Sequence, residues 1–441
     1  MAIENEDGSL KYERLLLKYE GNPDGPKLDF YESHGGYEGA RKALAMPAGD
    51  VVKLVKDSGL RGRGGAGFST GMKWSFCPPP DGMPRYLAVN ADESEPGTFK
   101  DRVIIDWDPH AIIEGSIIAA WGAQLTHGYV YIRGEFTQGA KILQKAIDEA
   151  YKKGYLGKGI FGTKFDFEFT LHRGAGAYIC GEETGMLTSI EGGMGYPKIK
   201  PPFPAVQGLF KRPTVVNNVE TLANLPHIVT KGVAWHKSFG TEKSPGIKLF
   251  SVCGHVKRPG NYEVPLGIPL KELIYDLAGG IRDDRKLKAV IPGGSSAPVL
   301  TAEEAEKVTM DYEGLAGAGT MLGSGGVIVL DETVCMVDAL LNLAKFYHHE
   351  SCGQCTPCRE GCGWTEKILD RIEDGHGRTE DLDMLLEIAS NMRGKTICVL
   401  ADALALPIQS FVPKFRDEFQ FHITNKDCYA KAMTRAAAAT T

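Results

Sequence analysis

The chain has 441 residues, of which 43% are hydrophobic and 24% are charged. This composition is typical of a globular protein with several domains. The net charge of −6 excludes a general affinity for nucleic acid. The most apolar run, Ala111–Leu125, is broken by Glu114 and Gln124, so no direct membrane insertion is expected. The acidic N-terminus is not typical of a signal peptide, and three clustered cysteines favour a metal site over disulfides. We therefore expect a cytoplasmic protein whose membrane association, if any, runs through partners.

A glycine-rich segment, Leu60–Phe68, is the first unusual feature. Gly62, Gly64 and Gly67 match the G-x-G-x-x-G spacing, but they follow a helical pattern over Ala48–Lys56 instead of a strand. The match is therefore a poor dinucleotide fingerprint. Exposed main-chain N–H groups and two arginines still suit a phosphate or pyrophosphate. A flexible surface loop is the alternative.

Strand and helix patterns alternate between residues 85 and 191 and predict a parallel sheet with helices on its faces. The predicted elements are strands at 85–90, 128–134 and 165–171 and helices at 109–125 and 137–153. Ligands of such sheets bind beyond the carboxyl ends of the strands. Two polar segments, Asn90–Gly97 and Arg173–Thr184, fall at those ends.

The acidic residues of these segments suit ribityl or ribose hydroxyls, whose hydrogen bonds a carboxylate accepts. Glu182 and Glu183 also fit the first turn of a helix, where acidic side chains are simple dipole partners. A phosphate would instead be bound by the glycine segment, by Lys73 and by a helix start at Asn217–Thr221. The Gly-, Pro- and Lys-rich residues 192–215 predict an ordered loop or lid.

Residues 247–330 read as two strands, a helix and two further strands, which predicts a β-grasp-like module with a docking role. Residues 332–421 read as four helices joined by short loops, which favours an antiparallel bundle. The predicted domains are 1–72, 73–240, 241–331 and 332–441, within an α/β multidomain protein.

Three cysteines, Cys352, Cys355 and Cys358, connect the first two helices of the predicted bundle. The C-x2-C-x2-C spacing suits three corners of an iron–sulfur cluster. Zinc is the alternative, although zinc sites usually combine two separated C-x2-C pairs. The fourth ligand is either Cys362, which completes a ferredoxin-like run, or Cys398, which we prefer because the proline typical of such a run does not follow Cys362.

These motifs together resemble the NADH-binding flavoprotein subunit of respiratory complex I, over a stretch that runs approximately between Gly36 and Phe421. The resemblance implies a Rossmann-like FMN and NADH domain, a soluble-ligand-binding β-grasp-like domain and a helical bundle with one [4Fe–4S] cluster. The implied cluster ligands are Cys352, Cys355, Cys358 and Cys398. The implied FMN-binding residues are Gly62, Arg63, Gly64, Gly65, Lys73, Asn90, Asp92, Glu93, Ser94, Tyr178, Gly181, Glu182, Glu183, Val216, Asn217, Asn218 and Thr221.

The resemblance also implies that NADH binds against Phe68, Phe76 and Phe203, with Glu95, Glu183 and Lys200 nearby. We expect hydride transfer to FMN to need no side-chain acid, and expect Glu95 and Glu183 to tune local charge and water. The implied partners are a thioredoxin-like [2Fe–2S] subunit and a larger iron–sulfur subunit, in the peripheral arm of an inner-membrane complex. Two alternatives stay open at this point: the diaphorase subunit of an NAD-linked hydrogenase or formate dehydrogenase, and a zinc-stabilised structural adaptor.

The sequence departs from the family pattern at three positions. Ser69 stands where the family usually has proline, and Gly185 stands in a predicted helix where alanine is favoured. Glycine in a helix interior costs up to about 1 kcal/mol. Val399 follows Cys398 where glycine or proline is common. None of the three is a predicted ligand, so only local loop shape is in question.

Overall fold

A computed structural model describes Tyr12 and residues 14–440, so residues 1–11 and 13 of the predicted N-terminal domain lie outside the described residues. The strands are β1 (Tyr86–Ala91), β2 (His127–Ile132), β3 (Glu168–Arg173), β4 (Thr214–Asn218), β5 (Ile247–Gly254), β6 (Gly260–Pro265), β7 (Leu287–Ile291), β8 (Leu300–Thr301) and β9 (Gly326–Asp331).

The helices of the first half of the chain are α1 (Leu28–Ser33), α2 (Glu38–Leu44), α3 (Ala48–Ser58), α4 (Thr70–Ser75), α5 (Asp101–Trp107), α6 (Pro109–Ala123), α7 (Thr137–Lys153), α8 (Glu183–Ile190), α9 (Val219–Ala223), α10 (Leu225–Lys231) and α11 (Val233–Lys237). Those of the second half are α12 (Leu270–Glu272), α13 (Ala302–Ala305), α14 (Tyr312–Gly317), α15 (Met336–Glu350), α16 (Thr356–Glu373), α17 (Asp381–Met392), α18 (Leu400–Lys414), α19 (Arg416–Asn425) and α20 (Tyr429–Thr440).

The chain forms two compact units. The first unit contains the described residues up to 94 together with 98–250 and 261–268. The second unit contains 95–97, 251–260 and the described residues from 269 onward.

The first unit is built on a parallel sheet with strand order β3-β2-β1-β4. β1 is a nearly continuous apolar run, as expected for a strand that is covered on both faces. The chain runs from β1 to β2 and β3 on one side and only then to β4 on the other, so the strand order switches between β1 and β4. Asn90 and Asn218 pair across this switch point, which is where ligands of such sheets bind.

Helix α6 carries the most apolar run of the sequence and is buried at every residue except Trp121. Its one carboxylate, Glu114, accepts hydrogen bonds from the main-chain N–H groups of Tyr37 and Ala40, both at 2.9 Å. A Cβ atom on Gly115 would lie 2.1 Å from the main-chain oxygen of Leu222, so glycine is what lets α6 approach α9. The run therefore forms the core of a globular unit. No described helix is long and apolar enough to cross a membrane.

In the second unit, the second half of β5 (251–254) pairs in parallel with β9, and β7 pairs antiparallel with both β9 and β8. The predicted helix at 269–277 is one turn of α12 followed by a π-helical turn over Leu273–Leu277. Helices α15, α16, α17 and α18 pack together as the predicted bundle. The bundle continues through α19 and α20, and α20 was not predicted.

Candidate cofactor sites

The glycine segment connects α3 to α4 and folds back on itself. The main-chain N–H of Gly62 donates to the oxygen of Phe68 at 2.9 Å. A Cβ atom on Gly62 would meet nothing closer than 3.6 Å, whereas a Cβ atom on Gly64 would lie 2.8 Å from the Cβ of Asn218. The segment is therefore packed tightly against the carboxyl end of β4 at Gly64, whereas a Cβ atom on Gly62 would make only ordinary contact with the main chain of Phe68.

Arg63 ties the same segment to α9 through its main-chain N–H, which donates to the Thr221 hydroxyl at 2.8 Å. Its guanidinium is fully buried and donates to the main-chain oxygen of Pro245 at 3.1 Å. The Nε and Nη1 atoms have no hydrogen-bond partner among the described residues. The Arg63 side chain therefore makes its contact inside the first unit. A role of Arg63 in phosphate binding stays a prediction.

The carboxyl end of β1 and the turn before α8 meet as predicted. The Asn90 amide donates to the main-chain oxygen of Gly181 at 2.8 Å. The Ser94 hydroxyl donates to the Asp92 carboxylate at 2.8 Å. A Cβ atom on Gly181 would lie 3.3 Å from that carboxylate. Tyr178 begins the short 3₁₀ turn that ends at Gly181.

The residues predicted along β4 are bonded to helix α4. The Lys73 ammonium donates to the main-chain oxygen of Val216 at 3.1 Å, and the Trp74 indole donates to the Asn217 side chain at 2.9 Å. Burial lowers the pKa of Lys73, and the carboxylate of Glu183 opposes that effect. A partly buried cation near an acidic side chain, at the edge where the sheet order switches, suits an anionic group of a ligand.

Helix α8 begins with an acidic pair, and the two members have different partners. Glu182 is the N-cap residue, and its carboxylate accepts from the N–H groups of Thr184 at 2.8 Å and Gly185 at 2.9 Å. The Lys200 ammonium lies 2.8 Å from Glu183 and 3.4 Å from Glu182. Burial alone would lower the pKa of Lys200, but the hydrogen bonds and charges of these two carboxylates raise it above its usual value. The Lys200 contacts therefore join the Pro-rich loop to the start of α8.

Two departures from the family pattern have local explanations. Gly185 lies in the first turn of α8, not in a helix interior, so the expected propensity cost does not apply there. A Cβ atom on Gly185 would lie 2.7 Å from the main-chain oxygen of Ile179, which only glycine avoids. Ser69 is the N-cap of α4 and accepts a hydrogen bond from the N–H of Met72.

Glu93 is turned toward helix α5. Its buried carboxylate accepts from the N–H of Asp101 at 2.6 Å and of Arg102 at 3.2 Å. Burial raises the pKa of Glu93, and the neighbouring charge of Asp101 raises it further. A contact of this carboxylate with a cofactor stays a prediction.

A buried ionic network, which sequence reasoning missed, lies beneath the glycine segment. Its members are Lys100, Asp101, Glu220 and Lys248. The Lys100 ammonium lies 2.7 Å from Asp101 and 2.8 Å from Glu220, while the Lys248 ammonium lies 3.4 Å from Glu220. Burial lowers the pKa of Lys248 to about 7 even though Glu220 is its neighbour. The one available signal was a lysine inside the otherwise apolar start of β5.

The network also positions the site. Lys248 donates to the main-chain oxygen of Arg63 at 3.1 Å. The Asn218 amide donates to Asp101 at 2.7 Å, and its side-chain oxygen accepts from the N–H of Glu220 at 3.0 Å. Lys248 therefore holds the glycine segment, and Asp101 holds the end of β4.

The three predicted aromatic residues expose much of their surface. Phe68 is 46% exposed, Phe76 52% and Phe203 59%. The rings of Phe68 and Phe76 lie 6.0 Å apart, in a tilted arrangement. Exposed rings of this kind are suited to stacking with a planar base, and their role with NADH stays a prediction.

Glu95 belongs to the second unit, where residues after β7 hold its carboxylate. One oxygen accepts from the N–H of Ser296 at 2.8 Å, from the Ser296 hydroxyl at 2.7 Å and from the Ser295 hydroxyl at 3.2 Å. These three donors fix the side chain in one orientation. The proposed role of Glu95 near the nucleotide stays a prediction.

The three clustered cysteines lie between α15 and α16. Cys355 is the N-cap residue of α16, and Cys358 lies in its first turn. The Ser351 hydroxyl is 3.3 Å from the Cys358 sulfur, and the N–H of Ile397 donates to the Cys355 sulfur at 3.4 Å. This last bond brings the segment that contains Cys398 beside the motif.

The structure gives Cys362 a different position. Cys362 is completely buried inside α16, one turn beyond Cys358. A hydrogen bond with the Cys362 thiol lowers the pKa of Cys358 to about 7. Cys362 therefore has a partner inside α16, and the choice of Cys398 as the fourth cluster ligand stays a prediction.

The spacing of the sulfurs also bears on the zinc alternative. Thiolates on one zinc ion bind at about 2.3 Å and lie about 3.8 Å apart. In the part of the chain that the structure describes, the one group of three or more potential ligands within 4.8 Å of one another is at a different place, Cys335, His422 and Cys428. The C-x2-C-x2-C thiols are not in that group, so the preference for a cluster over zinc rests on the spacing of the motif.

Comparisons with known proteins assign these two sites. A family model described as "Nuo51 FMN-binding domain" matches residues 55–227. One described as "NADH-ubiquinone oxidoreductase-F iron-sulfur binding region" matches 338–422, and an SLBB domain matches 248–329. The matches confirm the predicted cofactors, FMN and a [4Fe–4S] cluster, and define an iron–sulfur flavoprotein.

The relatives identify the family. The chain is 53% identical over 418 residues to the second F subunit (F 2) of NADH-quinone oxidoreductase in Rhizobium meliloti, covering 95% of this chain and 99% of that protein. It is 51% identical to the F subunit of the Mycobacterium tuberculosis enzyme, covering 94% of each chain. The chain therefore belongs to the family of NADH-quinone oxidoreductase F subunits.

A solved structure shares the fold. The chain matches the crystal structure of an NAD+-reducing [NiFe]-hydrogenase in its air-oxidized state with a TM-score of 0.80 and 34% identity. The match covers 93% of this chain and 67% of the hydrogenase chain. The α/β fold prediction is confirmed.

Proposed function

We propose that the chain oxidises NADH by hydride transfer to FMN and passes single electrons to its [4Fe–4S] cluster, and onward to quinone, as a subunit of a proton-translocating NADH:quinone oxidoreductase. The observation that carries the proposal is the combination, in one chain, of an FMN-binding region and an iron–sulfur region of this family. When bound, FMN supplies the conversion from a two-electron donor to one-electron steps.

The residues of the first unit fit this group. The open space beside Gly65, where a Cβ atom would meet nothing within 4 Å, admits a ligand close to the main chain of the glycine segment, which suits the phosphate. The Asn90 and Asp92 side chains lie at the switch point of the sheet and suit ribityl hydroxyls. The partly buried Lys73 ammonium adds positive charge at the same edge. The work of these residues is orientation and charge placement, and none is required to donate a proton.

Lys200 and the exposed aromatic rings are proposed to bind the nucleotide. Lys200 carries a positive charge that a phosphate attracts, and Glu183 holds it in place at 2.8 Å. The rings of Phe68, Phe76 and Phe203 offer stacking surfaces for the adenine. Glu183 and Glu95 are proposed to set the charge and water near the nicotinamide.

Cys352, Cys355, Cys358 and Cys398 are proposed as the ligands of the cluster. The proposed partners are a thioredoxin-like [2Fe–2S] subunit and a larger iron–sulfur subunit, in the peripheral arm of an inner-membrane complex on the cytoplasmic side. The names of the relatives, each a subunit of an oxidoreductase, support an assembly of several chains.

A second candidate is the diaphorase subunit of an NAD-linked hydrogenase, which the structural match favours. The chain is 53% identical to an F subunit of NADH-quinone oxidoreductase over almost its full length but 34% identical to the hydrogenase chain, which extends beyond the match. Affinity purification of the tagged chain from native membranes separates the two functions. Recovery of hydrogenase subunits in place of quinone oxidoreductase subunits would favour the second.

The chemistry is tested on protein reconstituted anaerobically with FMN, iron and sulfide. We expect a yellow-brown protein with stoichiometric flavin, ferricyanide reduction by NADH and an electron paramagnetic resonance signal of a reduced [4Fe–4S] cluster. A colourless zinc protein without NADH oxidation would refute the proposal and favour the structural adaptor.

A further inference from the structure

A third group of potential ligands lies in the helical part of the second unit, outside both cofactor sites. It consists of Cys335 at the start of α15, His422 near the end of α19 and Cys428 just before α20. Their ligand atoms all lie within 4.8 Å of one another. In the sequence the two cysteines stand alone and are expected to be small buried hydrophobic residues. The fold instead gathers them around one histidine.

The separation of the ligand atoms suits a single ion. The Cys335 sulfur lies 3.4 Å from Nε2 of His422, and the N–H of Tyr429 donates to the same nitrogen at 3.3 Å, a hydrogen bond that a bound ion would replace. On a tetrahedral zinc ion, with Zn–S near 2.3 Å and Zn–N near 2.05 Å, a sulfur and a nitrogen lie about 3.6 Å apart. His422 and Cys428 are buried, while Cys335 is partly exposed and gives access from solvent.

A carboxylate stands where it would orient the histidine. Nδ1 of His422 lies 3.4 Å from the Glu373 carboxylate. Such a carboxylate accepts the proton of the ring nitrogen that does not bind metal and so directs the other nitrogen to the ion. The N–H of Asp338 points at the Cys335 sulfur at 3.4 Å, which stabilises negative charge there. The charges of Asp338, Asp427 and Lys431 also act on His422, so acidic groups are in excess.

We propose that Cys335, His422 and Cys428 bind one Zn²⁺ ion, with Glu373 orienting His422 and water as the fourth ligand. Two thiolates and an imidazole favour zinc over magnesium or calcium. The ion would join the start of α15 to the end of α19 and the start of α20, which are far apart in sequence. It therefore acts as a structural cross-link of the C-terminal helices, separate from electron transfer.

Metal analysis of the holoprotein tests whether the chain binds this zinc ion. Protein expressed with iron and zinc in the medium, purified anaerobically and dialysed against EDTA, is expected to retain about one zinc per chain besides its cluster iron. Cys428→Ser should lose the zinc and keep iron and FMN. Cys253→Ser, a substitution at an isolated cysteine in β5, is the matched control and should lose neither. Cys358→Ser should lose iron and keep the zinc, which excludes zinc bound in the cluster site.

Three results would overturn the proposal. The first is wild-type protein without zinc, which would mean that the contacts are only thiol–imidazole hydrogen bonds. The second is zinc that disappears in Cys358→Ser but not in Cys428→Ser, and the third is a Cys335–Cys428 disulfide detected by mass spectrometry. Zinc-edge X-ray absorption on the wild-type protein gives a second answer that does not depend on how a variant folds. A shell with two sulfur ligands and one imidazole supports the site, and a shell of oxygen ligands or of four sulfurs refutes it.

Discussion

The close contact between the glycine segment and β4 makes a paired prediction at Gly64 and Gly62. In Gly64→Ala the new methyl would start 2.8 Å from the Cβ of Asn218, so the two must separate by at least about 0.6 Å to reach normal contact. Overpacking of this kind costs about 1–3 kcal/mol, or about 2–10 °C in the melting temperature of a unit this large. In Gly62→Ala the methyl meets nothing closer than 3.6 Å, so the protein itself should tolerate it.

The two variants separate the fold from the cofactor. We expect the flavin-free form of Gly64→Ala to melt earlier and that of Gly62→Ala to melt within about 1 °C of wild type. Both should bind FMN at least about tenfold more weakly, because Gly62 is a predicted FMN contact where a methyl would hold the ligand away and a methyl on Gly64 displaces the segment. Differential scanning fluorimetry of the flavin-free protein and titration by FMN fluorescence quenching measure the two effects. Wild-type FMN affinity in Gly62→Ala would show that this segment does not contact the cofactor.

Other groups give further predictions. Cys398→Ser should abolish the resonance signal of the reduced cluster, while Cys362→Ser should leave it; the reverse result would make Cys362 the fourth ligand. Lys200→Met should raise KM for NADH about 5–30-fold with unchanged FMN content, whereas Lys198→Met, on the same loop and paired with Glu191 at 3.0 Å, should change neither. A KM for Lys200→Met equal to that of wild type would remove Lys200 from the nucleotide site. Asp108 is buried, and burial raises its pKa to about 7. Because the pKa is raised in the folded state, the contribution of Asp108 to stability is present below about pH 4 and is lost as pH rises through 7. Asp108→Asn should therefore stabilise the protein at pH 8 by up to about 4 kcal/mol and leave its stability unchanged near pH 4. Thermal unfolding across this range checks the sign, and equal shifts at both pH values would contradict it.

The sheet and the cofactor types were predictable because they leave local patterns in the sequence. β1 and α6 are long apolar runs, and the cysteine spacing is contiguous. β4 was missed as a strand because it is short and follows a Gly- and Pro-rich stretch; only its pairing with β1 defines it. The start of α9 after Asn218 was predicted, since an N-cap asparagine is a local signal.

Long-range partners could not be predicted. Nothing near Glu95 in the sequence indicates that Ser295 and Ser296 hold its carboxylate. The same limit applies to the group formed by Cys335, His422 and Cys428. Side chains that match a ligand by type are often engaged by the protein itself, as Glu93 is by helix α5. Separating these roles requires the folded geometry.

The buried ionic network has a consequence for how this sequence can diverge. Lys100, Asp101, Glu220 and Lys248 neutralise one another out of reach of solvent. Replacing one member by an apolar residue strands an unpaired charge in the interior, at a cost of about 3–5 kcal/mol, whereas replacing an oppositely charged pair together is far cheaper. Changes at these positions are therefore expected to occur in compensating pairs. Glu220→Gln removes the carboxylate that contacts the Lys248 ammonium, so it would be tolerated mainly in a background that already carries Lys248→Met.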